Sequence, residues 1–128
     1  MSTNAWFAGK PNQDNTSQRE SRDYQTPAYA STLSVTVKKN KTLIKVGTLT
    51  GNMTINAVLP SPAPDDNPPY IGDSIDFLFS SDGVADHIVT FGTGFKSTGT
   101  LTVASGKFGK ANAMFDGNEW LLATFPTV

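Results

Sequence analysis

The chain has 128 residues and a mass of 13.7 kDa, room for one domain with a modest core. Its 10 basic and 11 acidic residues leave a net charge of -1, which argues against a nucleic-acid binder with its basic excess or stripe. With no cysteine, disulfides, thiolate metal sites and cysteine nucleophiles are excluded, and no apolar run approaches the roughly 18 residues that a membrane span needs.

The first residues, MSTNAWF, carry neither a basic nor an apolar leader region, so no secretory signal is expected and the chain is read as made in a cytoplasm. Residues 1–31 form an extended N-terminal arm in this reading. Gln13 to Asp23 is polar throughout and cannot bury enough apolar surface to offset its own ordering. A helix over 16–23, capped by Asn15 or Thr16, would have no apolar stripe to hold it down. Against this background Trp6, Phe7, Tyr24 and Tyr29 stand out as spaced aromatic anchors for a partner surface.

From Thr32 the pattern changes to a period of two, the signature of half-buried strands. Leu33, Val35 and Val37 mark a first strand, Thr42 to Val46 a second, and Met53, Ile55, Ala57 and Leu59 one face of a third. The basic cluster Lys38, Lys39, Lys41 and Lys45 surrounds a turn signal and reads as a solvated hairpin end. Between Pro60 and Pro69, five of ten residues are proline, which forbids regular structure and leaves a semi-rigid connector. Five further strands follow at about 73–80, 87–91, 99–103, 107–115 and 119–125. The total predicts an all-β, eight-stranded antiparallel jelly-roll-like sandwich over residues 32–128.

Candidate chemistry is sparse. His87 is the sole histidine, beside Asp86, with no Gly-x-Ser-x-Gly elbow to pair with it, and it reads as the start of a strand. Asp65, Asp66, Asp73, Asp76, Asp82 and Asp86 raise glycoside hydrolysis or calcium binding, but Asp65, Asp66 and Asp82, like Asp116, sit in turn contexts and Asp82–Asp86 fits an EF-hand loop poorly. Gly92-Thr-Gly94 lacks the third glycine and following helix of a phosphate loop. Trp120 suggests a sugar platform or, more commonly, a core or interface residue. No enzyme activity, metal or cofactor is expected.

Four segments carry a resemblance: GTLTGNMTIN (Gly47–Asn56), GDSIDFLFSSDG (Gly72–Gly83), HIVTFGTGFKSTGTLTV (His87–Val103) and FDGNEW (Phe115–Trp120). Together they resemble a repeated β-module of tailed-phage virion proteins, found in capsid decoration (cement), head-fibre and tail-fibre or tail-tip proteins. The resemblance spans Thr42 to Leu122 and departs from the pattern at Gly94-Phe95, where asparagine-phenylalanine is usual, and in the proline-rich stretch. It implies an all-β, often trimeric structural protein and brings no catalytic residues. The expectation is a bacteriophage decoration protein on the capsid exterior of the virion, a homotrimer binding the major capsid protein, without nucleic-acid or membrane partners. Trp6, Phe7, Tyr24 and Tyr29 would hold the partner, while Phe77, Phe79, Phe91, Phe115 and Trp120 would form core or subunit interface. The alternative is a fibre component contacting the host surface, with an exposed Trp120 or the 92–98 loop as its glycan site.

Overall fold

The computed structural model describes residues 22–59, 69–96 and 99–124. Nine strands and no helix occur among them: β1 (Arg22–Gln25), β2 (Thr32–Val35), β3 (Lys41–Lys45), β4 (Met53–Ala57), β5 (Ser74–Ser80), β6 (His87–Phe91), β7 (Gly99–Val103), β8 (Phe108–Phe115) and β9 (Trp120–Thr124). They form a five-stranded sheet of order β9-β8-β5-β3-β1 and a four-stranded sheet of order β2-β4-β6-β7. The fold is all-β and sandwich-like.

Pairing differs from the antiparallel expectation. β1 with β3, β3 with β5, β2 with β4 and β4 with β6 are parallel. Only β5 with β8, β8 with β9, and β6 with β7 are antiparallel. From β1 to β6 the chain crosses to the opposite sheet after every strand, so each strand of one sheet serves as the crossover between two parallel neighbours of the other. The result is three stacked coils followed by an antiparallel cap of β7, β8 and β9. Parallel sheets are usually covered on both faces and read as continuous apolar runs. Here each sheet is covered on one face only, so its strands keep the alternation that antiparallel sheets normally show.

The ninth strand is β1. It lies within the segment 1–31 read as an arm, yet Arg22 to Gln25 pair in register with Lys41 to Ile44. The helix considered over 16–23 gives way to β1 at Arg22 and otherwise falls outside the described residues. As an edge strand β1 points Asp23 and Gln25 inward, where Gln25 Nε2 donates to Asp23 Oδ2 at 3.0 Å and to the Thr36 carbonyl at 3.0 Å. Polar groups turned inward at a sheet edge discourage apolar strands from adding there.

One parity of every strand supplies the core. Ile44, Ile75, Phe77, Ala111, Ala113 and Trp120 come from the larger sheet and Val35, Met53, Ile55, Val89, Phe91 and Val103 from the smaller. The sheets meet through aromatic rings: Phe91 lies 5.4 Å from Phe77 and 6.3 Å from Phe79 between centroids, both edge-on, the geometry favoured by ring quadrupoles.

Candidate interaction surface

Of the four aromatic anchors, Trp6 and Phe7 lie outside the described residues. Tyr24 stands on the outer face of β1, 60% exposed. Tyr29, in the connection from β1 to β2, is half-buried against the core, and its hydroxyl donates to the Asn52 carbonyl at 2.8 Å. A Cβ at Gly51 would come within 2.6 Å of that hydroxyl, so glycine there makes room for the ring. Tyr29 is thus walled into the domain. Phe77, Phe79, Phe91, Phe115 and Trp120 are all buried within this single chain. With Trp120 wholly covered and packed 5.2 Å from Phe115, the glycan platform considered for it is lost.

The polar candidates resolve into backbone work. His87 Nε2 lies 3.0 Å from Asp82 Oδ1, and the same oxygen accepts from the Val84 amide at 3.2 Å. Desolvation pushes the Asp82 carboxyl upward, but the His87 hydrogen bond, the Val84 amide and the ring's charge outweigh it and hold Asp82 below the ordinary carboxylate value. Asp86 accepts from Ser105 N at 2.8 Å, and Asp73 from Tyr70 N at 2.8 Å. Asp116 Oδ1 takes two amides, Asn118 and Glu119, each at 2.8 Å. These two hydrogen bonds, Glu119 foremost, keep its carboxyl low, with Lys96 nearby adding to them. Asp65 and Asp66 fall outside the described residues. Among the described residues no three metal-ligating side chains converge. The turn Gly92–Lys96 closes one end of the sandwich: Gly94 accepts from Trp120 N at 2.9 Å and Lys96 N donates back to the Trp120 carbonyl at 2.9 Å. Gly94 has φ +93°, and a Cβ there would overlap the Ala57 carbonyl. Left-handed backbone alone tolerates asparagine, whereas this close approach demands glycine.

What parity leaves over is more informative. The outer face of the larger sheet carries Tyr24, Leu43, Leu78, Phe108, Met114 and Leu121 in company with basic residues. Phe108 is 63% exposed and Met114 51%. Two concavities open on this face. One of about 390 Å³ is lined by Arg22, Tyr24, Lys41, Leu43, Ser74 and Asp76, and one of about 310 Å³ by Lys45, Leu78, Ser80, Phe108 and Lys110. The opposite face, on the smaller sheet, carries a row of hydroxyls beside Asn56 and exposed Ile88: Thr32, Thr54, Thr90 and Thr100 align across all four strands. Sequence reasoning did not single out Phe108, although its parity opposes that of the core residues Ala111, Ala113 and Phe115 and so marks it as outward. No family model matches this sequence, and neither does any curated protein.

Proposed function

We propose that this chain is a bacteriophage capsid decoration protein, a homotrimer on the capsid exterior whose β-domain serves as platform and whose N-terminal arm holds the major capsid protein. The observation that carries the reading is the fate of the motif residues behind the resemblance. Gly72, Asp73, Asp82, Gly94 and Asp116 all serve turns, caps and close packing. A scaffold whose polar motifs are spent on shape suits a structural virion protein made in the host cytoplasm, without catalysis, cofactor, nucleic acid or membrane. Trp6, Phe7 and Tyr24 are the proposed anchors, since aromatic side chains often dominate interface energetics. The fibre alternative, a head-fibre or tail-tip component contacting the host, has lost its tryptophan platform and keeps only the 92–98 loop.

The test uses capsids assembled without this protein. The full chain binds them, and removal of residues 2–21, which stops short of β1, weakens binding at least tenfold. Undiminished binding by the shortened chain refutes Trp6 and Phe7 as anchors. Failure of the full chain to bind capsids, together with binding to host cells, decides for the fibre role.

A further inference from the structure

Among the described residues the charges are sorted by place. On the outer face of the larger sheet stand Arg22, Lys41, Lys45 and Lys110, with Asp76 as the acidic member. The remaining described acids sit elsewhere: Asp23 turns inward at the edge, Asp73 is buried, and Asp82, Asp86, Asp116 and Glu119 occupy loops at the ends of the strands. Among the described residues, the outer face of the larger sheet is thus distinctly basic. On the opposite outer face the four aligned positions are threonines and bear no charge.

Register makes the basic face specific. Lys110 on β8, Leu78 on β5 and Lys45 on β3 are direct lateral neighbours. Adjacent strands lie about 4.8 Å apart, so the two lysine stems flank Leu78 on either side, about 10 Å from one another. Phe108 pairs with Ser80 and closes the end of the same dimple, about 310 Å³ in volume. Its floor and one wall are apolar, and its rim carries two ammonium groups. No ion pair among the described residues engages Lys45 or Lys110. Asp76, the acid on this face, is occupied at 2.9 Å by the Asn112 side-chain amide.

We infer that this face docks an acidic protein surface that inserts an aromatic or large aliphatic side chain at Leu78 and Phe108, with carboxylates on either side meeting Lys45 and Lys110. The inference goes beyond the capsid reading, and holds for any partner of this chemistry. Charge complementarity selects the sign, and the apolar floor selects a protein segment over a polyphosphate. A nucleic acid would gain little from Leu78, Met114 and Leu121 and would meet Asp76. Rim charges of this kind steer encounter and fix register, while the buried apolar side chain supplies affinity.

The test is an amide-resolved NMR titration of the full chain with blocked pentapeptides. The acidic probe EDFEL shifts the amides of Lys45, Leu78, Ser80, Phe108 and Lys110, saturating at a sub-millimolar to millimolar dissociation constant, on the order of that for a short solvent-exposed contact. Lys45→Glu with Lys110→Glu weakens it about tenfold or more, and Phe108→Ala does likewise at unchanged net charge. All three positions are exposed, so the melting temperature of each variant stays within about 2 °C of the parent. Absence of shifts at millimolar EDFEL overturns the inference, as do equal shifts with the basic peptide KKFKL. Tighter shifts of the same amides by an oligothymidylate or by vesicles containing phosphatidylserine overturn it in favour of those ligands. Capsid binding is not part of this readout, so the docking face and the decoration role stand or fall separately.

Discussion

Asp116 shows how an acidic residue can be committed mainly to the backbone. It follows β8, receives the amides of Asn118 and Glu119, and lets Gly117 take φ +105° between Phe115 and Trp120. Because the folded state holds the carboxylates of Asp116 and Asp82 below their ordinary value of 3.8, the unfolded chain binds more protons in the window between. Their contribution to stability is therefore complete above the ordinary value and is lost as pH falls through the lowered folded values. Calorimetry should find these groups adding no slope from about pH 7 to 5 and a falling melting temperature below about pH 4. Asp116→Asn, which keeps an acceptor oxygen but no titration, should flatten that acid limb. An identical limb in the variant would refute the assignment. Such turn aspartates were legible from sequence because Asp-Gly and Asn-rich breaks between apolar runs have a local cause. The demand for glycine at position 94 was not, since it arises from a carbonyl of β4, distant in sequence.

At the level of elements, strand positions were readable and their partners were not. Alternation places β2 to β9 within a residue or two, because side-chain period is a property of one strand. Whether a neighbour runs parallel or antiparallel depends on which sheet the chain enters next, and Thr42-Leu-Ile-Lys-Val46 carries no mark of that choice. β1 was hidden for another reason. Its inward residues are Asp23 and Gln25, so the polar-apolar contrast that reveals other strands is inverted by its edge position. The fold gives β1 a measurable role. Deleting residues 2–25 uncovers β3, including Thr42 and Ile44, and should lower the melting temperature by roughly 5 °C or more below that of the chain lacking only residues 2–21. Equal melting temperatures for the two truncations would show that β1 adds nothing to the sheet. The comparison also separates loss of an anchor from damage to the platform.

Across the whole molecule, one ring layer joins two differently equipped faces. Phe91 touches Phe77, Phe79 and Phe95, so it couples the two sheets at their centre. Phe91→Ala should cost about 3–5 kcal/mol in chemical denaturation, with both sheets still unfolding in one transition. A smaller loss, or two transitions, would mean that the sheets hold together by other contacts. The docking face was partly visible beforehand, in the parity of Phe108 and Lys110. Its lateral row was not, because Lys110, Leu78 and Lys45 become neighbours only through one antiparallel and one parallel pairing.

The coil path has a consequence for how such a molecule can change size. Each circuit adds one strand to each sheet and advances the stack by a single interstrand spacing of about 4.8 Å. Duplicating one circuit of sequence ahead of Ser74 would push β5, β6 and the cap outward as a body, without reordering any pairing inside either part. Height along the stack is therefore adjustable in whole steps by gene duplication, while thickness, fixed by the phenylalanine layer, is not.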